Sequence, residues 1–204
     1  MSKDEFYITE SVKRELVDIP LNMTKRFKFE ALQVLHYIEN GTLKVIDDKE
    51  IKEKSAKLLS LANSCYNAFG HNMKLIHEAE MSAVALYLKK KADAFVVDER
   101  TTRLMVENPK KLHHILSHNL HTKINENRNA LRDFQKITKD VKIIRSVELV
   151  TIAYEKGLLD KYMVNTQTKE TLLESVLWGV KMNGCAVSKK EIEMIIKEEE
   201  KINS

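Results

Sequence analysis

Residues Ile76 to Arg103, IHEAEMSAVALYLKKKADAFVVDERTTR, constrain the fold more than any other stretch of the chain. Glu78 and Glu80 open an almost wholly apolar run, MSAVALYL, which has the length of a buried helix rather than a strand. Lys89, Lys90 and Lys91 make a polar break. A short apolar strand, Ala94 to Val97, then ends on Asp98 and Glu99. An acid at the start of a buried helix and an acid at the end of the next strand can meet at the carboxyl edge of an open α/β sheet, where such sheets place their ligands. Ala83 and Leu86 are expected in the core.

Elsewhere, apolar runs with strand character alternate with runs of helical spacing. Strands are expected near 5–8, 42–46, 94–97 and 141–144. A helix from Ser11 should stop before Pro20, because proline lacks the N–H and crowds the preceding turn. Phe27, Ala31, Val34, Leu35 and Ile38 give helical spacing ahead of Gly41, and a long helix should run from Asp47 or Asp48 to Phe69. Residues 107–140 read as a helical insertion with a broken apolar stripe. Ser146 should cap the helix that Gly157 stops, and Ser188 with Glu191 has capping-box spacing. The expected architecture is α/β: a parallel sheet flanked by helices over residues 1–164, and a helical C-terminal extension over 165–204 packed on it.

Composition removes several function classes. Lys and Arg exceed Asp and Glu by 34 to 30, a net charge of +4, which permits a nucleic-acid partner without requiring one. No apolar run reaches the ~18 residues of a membrane span, so no membrane partner is expected. The start of the chain lacks the apolar segment of a signal peptide, and Cys65 and Cys185 have no CxxC spacing, so a cytoplasmic protein with reduced core thiols is expected. The sequence contains no GxxxxGK[ST], GxGxxG or GxSxG, which removes the main signals for nucleotide hydrolysis, dinucleotide redox and serine-hydrolase chemistry.

Taken singly, Glu78, Glu80, Asp98 and Glu99 read as helix caps and first-turn acids. Together they read as a site, because an acid in a helix apolar on most sides is costly to bury unless a cation or a partner meets it. Carboxylates suit hard cations such as Mg²⁺ or Mn²⁺. His114, His118 and His121 share a helical face, but no HExxH or cysteine accompanies them, and they read as a polar surface. Arg100, Arg103 and Arg145 follow strand ends, where they would suit a phosphodiester.

Three segments carry a resemblance to the PIN-domain superfamily, in particular its PIN-like archaeal and bacterial members of unassigned role. FYITESVKREL resembles a PIN strand and its following helix, with Glu15 as the acid. HEAEMSAVALYLKKKADAFVVDERTTR resembles the GEAEAIALA…DD stretch, with Glu80 and Asp98 at its acids and Glu99 beside the second. VKIIRSVELVTIAYEKGLLDKY, with LLESVLWGVKMNGCAVSKKEIEMI, is similar to the last strand and helical tail of that subgroup. The resemblance implies a Mg²⁺- or Mn²⁺-dependent ribonuclease. Glu15, Glu80 and Asp98 would be its catalytic acids and, with Glu99, its metal ligands; Arg100, Arg103, Arg145 and Ser146 would line the RNA. At least one of the converging acids should then have a raised pKa.

The family's opening strand normally ends in an aspartate, often within DTS. This chain opens at what looks like the next strand, and Asp4 precedes that strand rather than ending it. Two expectations follow: an N-terminally shortened nuclease, or a catalytically impaired PIN-like module that binds RNA or a protein, with a homodimer as a further form of partner.

Overall fold

A computed structural model of the protein describes residues 5–164 and 168–203. The chain divides into two compact units, Met1–Phe95 with Leu104–Val141, and Val96–Arg103 with Lys142–Ser204. The expected boundary near 164 is not one of these divisions, for residues 142–164 group with the C-terminal helices.

In the first unit, β1 (Phe6–Thr9) pairs in parallel with β2 (Leu43–Ile46), from Phe6 opposite Leu43 to Thr9 opposite Ile46. Parallel neighbours need a long crossover. Here it consists of α1 (Glu10–Lys13), a π-helical segment (Arg14–Asp18), α2 (Ile19–Met23) and α3 (Lys28–Glu39). The expected stop before Pro20 does not occur. The helix widens instead, Ile19 donating its N–H to the carbonyl of Arg14, five residues back. That wider turn accommodates a proline that lacks an N–H and crowds the carbonyl four residues behind it.

Asp48 caps α4 (Lys49–Ala62), accepting from the N–H of Ile51 at 3.1 Å. The helix ends at Ala62 rather than at Phe69. Asn63 then takes over: its Oδ1 accepts from the N–H groups of Leu75 and Ile76, and its Nδ2 donates to the Ile76 carbonyl. Residues between form a hairpin of β3 (Tyr66–Ala68) and β4 (His71–Asn72). Its two turn residues, Phe69 and Gly70, have φ of 53° and 81°. Two positive φ values in a two-residue loop match the twist of a hairpin.

Helix α5 (Glu78–Lys90) packs against α4 and β1. It buries Met81, Val84, Ala85 and Leu86, whereas Ala83 is only half-buried. The chain continues through β5 (Phe95–Val96) and α6 (Arg100–Glu107). The insertion expected to be helical is α7 (Pro109–Leu120), β6 (Asn125–Glu126) and α8 (Arg128–Thr138), with β6 antiparallel to β3.

Strand β5, between whose two residues the division falls, pairs with β7 (Ile143–Ile144), and in the second unit the N–H of Val97 donates to the carbonyl of Ile144 at 3.0 Å. Helix α9 (Ser146–Glu155) follows, then a 3₁₀ turn (Asp160–Tyr162), α10 (Lys169–Met182) and α11 (Lys189–Asn203). Val147, Tyr154, Leu173, Leu177, Val187 and Ile192 form the core beneath them. Ser188 and Glu191 form the expected capping box, each side chain accepting the other's backbone N–H.

The protein is thus mixed α/β and mostly helical. Among the described residues, the four expected strands do not join one parallel ladder: β1 pairs with β2 and β5 with β7, while β3, β4 and β6 form an antiparallel sheet. Strands of only two residues, such as β5 and β7, leave little edge on which to extend a ladder.

Candidate functional site

At the carboxyl edge of the β1–β2 pair, three chain turns meet. Thr9 ends β1 and caps α1, Asp48 caps α4, and Glu78 to Ser82 form the first turns of α5. Between them lies a cavity of about 540 Å³. Hydroxyls line part of it: Thr9 Oγ1 and Ser82 Oγ lie 2.6 Å apart, Ser11 donates to Ser82 at 2.6 Å, and Ser82 donates to the Ala79 carbonyl. Ser55 lines it from α4. It is 3% exposed, and its Oγ has no hydrogen-bond partner among the described residues.

The rest of the lining is charged. Glu10, Glu15, Asp18, Asp48 and Glu78 face two cations, Arg14 and Lys52. Part of this charge is already committed, because Glu10 pairs with Lys13 at 2.9 Å, Asp48 with Lys89 at 2.8 Å, and Lys52 with Asp47.

Glu15, on the π-helical segment, and Glu80, on α5, are close enough to repel. Glu15 as a residue is exposed, yet loss of water around its carboxyl is the first cause raising its pKa. The charge of Glu80 is the second, and Glu78 adds to it against the opposing pull of His77 and Arg14. Glu80 itself has a buried Oε2 with no hydrogen-bond partner among the described residues. A carboxylate oxygen left bare beside a second carboxyl whose ionisation is opposed is a fit for a hard cation. Among the described residues, no three His, Cys, Asp or Glu side chains are placed as a ready-made ligand set.

The remaining expected site residues belong to the second unit, where Asp98, Glu99, Arg145 and Ser146 are tied into the fold. Asp98 Oδ1 accepts the N–H of Ser146 at 2.8 Å and Oδ2 accepts its hydroxyl at 2.6 Å, so Asp98 holds the start of α9. Burial pushes the Asp98 carboxyl up, but hydrogen bonds from Ser146 and the Cys185 thiol, with the charge of Arg145, hold it below the usual aspartate range. Cys185 is pushed up to about 11, first by burial and then by that carboxylate.

Glu99 caps α6, accepting from the N–H groups of Thr101 and Thr102. These bonds outweigh its desolvation and lower its pKa. Arg145, not Ser146, is the N-cap of α9. Its guanidinium pairs with Glu148, with Glu191 at 3.0 Å and with the Ala186 carbonyl at 3.0 Å. Arg103 donates its backbone N–H to the Glu99 carbonyl, and Arg100 is exposed.

The structure therefore brings Glu15 and Glu80 together within the first unit, and Asp98, Arg145 and Ser146 together within the second. The hydroxyls of Thr9, Ser11, Ser55 and Ser82 were not anticipated. Two signals pointed to them: the Thr-x-Ser directly after a strand, and a serine inside the apolar run of α5. Comparison of the chain with protein-family models, with curated proteins and with solved structures gives no match in any of the three.

Proposed function

We propose that the first unit binds Mg²⁺ or Mn²⁺ through Glu15 and Glu80, and that the protein is a metal-dependent ribonuclease of the PIN type. The observation that carries this reading is the Glu15–Glu80 relationship: a raised Glu15 carboxyl beside a buried, unpartnered Glu80 oxygen at the carboxyl edge of a parallel strand pair. A bound divalent ion would supply a more acidic water and neutralise charge on an RNA phosphodiester. The chain's own part is to hold the two carboxylates against their repulsion, and to present Arg14 and Lys52 in the cavity that Glu15 lines. Cleavage of a labelled RNA by the full chain tests this reading. Activity should require Mn²⁺ or Mg²⁺ and be lost in Glu80→Gln; RNA left intact with either ion would refute it.

A second reading is favoured by a specific observation. The strand end that reaches the cavity carries Thr9, followed by Glu10 and Ser11, and the buried α4 residue beside it is Ser55. Hydroxyls stand where a PIN-type site would gather carboxylates, and the Asp98 oxygens are taken by Ser146. On this reading the protein is a PIN-like module that binds RNA or a protein without cutting. RNA bound but uncleaved by the wild-type chain, in the presence of Mn²⁺, would select it.

A further inference from the structure

We propose that Lys25–Phe29, where α2 passes into α3, is a docking platform for single-stranded nucleic acid. The sequence there is Lys25, Arg26, Phe27, Lys28, Phe29, three cations and two aromatic rings with no acid among them. Phe27 is 50% exposed and Phe29 70%. Large rings that could be buried are instead held in water beside positive charge.

The backbone marks the same spot. Phe27 is the N-cap residue of α3 at φ 63°, ψ 19°, the left-handed region, and makes no side-chain capping bond. A bulky non-glycine residue there is strained. Burial of its ring does not offset that strain. The turn is held from either side: the Thr24 hydroxyl donates to the Arg26 carbonyl at 2.7 Å, and Lys28 Nζ donates to the Leu21 carbonyl at 2.9 Å. The Arg26 guanidinium lies 4.5 Å from the centre of the Phe27 ring.

Exposed aromatic faces take unpaired bases by stacking, and adjacent cations take the phosphates. A duplex offers no free base faces, so it cannot use the rings. A second copy of the chain fits worse, because a two-fold contact centred on this patch would set its three cations against the same three. The platform lies outside the Glu15–Glu80 pair and does not need it.

The test uses the full chain in EDTA, with a fluorescent single-stranded RNA of about 15 nucleotides and its duplex. Anisotropy at several salt concentrations should show tighter binding of the single strand. Phe29→Ala should weaken it about tenfold, and Arg26→Gln should flatten the log K against log salt slope by about 0.7. Circular dichroism and the melting midpoint should match wild type in both variants. EDTA keeps divalent ions out of the first unit, so failure of this binding is distinguishable from failure of the metal reading. The proposal is overturned if the single strand does not bind at low salt, if the duplex binds equally well, or if Phe29→Ala and Arg26→Gln leave affinity unchanged. It is also overturned if sedimentation shows a dimer that Phe29→Ala abolishes while RNA affinity stays constant.

Discussion

Asp98 grips Ser146 with both oxygens, one on the backbone N–H at 2.8 Å and one on the hydroxyl at 2.6 Å. The pair ties the strand end after β5 to the first turn of α9 across 48 positions of sequence. Its consequence is a sign. The folded pKa of Asp98 is lowered, so its contribution to stability is present above the unfolded pKa and is lost as pH falls through the folded one. Asp98→Asn should therefore destabilise the protein at neutral pH, by about 1–3 kcal/mol, since a neutral amide replaces the charged acceptor of two hydrogen bonds. Urea titrations at neutral and acidic pH check this; the difference between the two proteins should shrink at acidic pH.

Leu86 is 4% exposed in α5, between α4 and β1. Leu86→Ala should cost about 2–5 kcal/mol, from lost transfer energy plus the cavity left behind. A urea midpoint shift corresponding to less than about 1 kcal/mol would mean that α5 is not the centre of the first unit.

Glu15 behaves in the opposite sense to Asp98. Its folded pKa is raised, first by loss of water and then by Glu80, so the folded state holds its proton more tightly than the unfolded chain does. Stability from this group should fall as pH rises from the ordinary glutamate range through the folded pKa, and the loss should persist above it. Glu15→Gln should remove that segment of the pH profile and raise the melting midpoint at neutral pH. Mn²⁺ should raise the wild-type midpoint by mass action and raise that of Glu15→Gln by less at the same concentration.

The alternation of strands and helices, the buried helix at 78–90 and the Ser188–Glu191 capping box were legible, because periodicity and capping are local signals. The ladders were not. Whether β5 joins β1 depends on tertiary packing, and two-residue strands carry no pattern that names a partner. The hairpin at 66–72 was hidden because Asn63 ends α4 through bonds to residues twelve and thirteen positions on. Pro20 misled for a physical reason: a π turn absorbs a proline that an α-helix would reject. Of the site, Glu80 was readable as an acid in an apolar helix, whereas Glu15 was singled out only by the resemblance of FYITESVKREL to a PIN strand and helix. Asp98 was readable as an acid at a strand end, but the same position serves equally to hold the next helix, and only the Ser146 bonds distinguish the two uses. Arg145 was expected to face RNA, whereas it is spent on Glu148 and on Glu191, whose carboxyl its charge helps hold down at about 2 against the effect of burial.

The central claim is that Glu15 and Glu80 hold one divalent cation. Calorimetric titration of Mn²⁺ into the full chain at neutral pH tests it most directly, with Glu15→Gln and Glu80→Gln beside wild type and Phe29→Ala as a control outside the site. Wild type and Phe29→Ala should bind one ion saturably, with binding weakened about tenfold or more in either glutamine variant, since each removes one of two charged ligands. Absence of saturable heat in wild type, or equal binding in all four proteins, would contradict it.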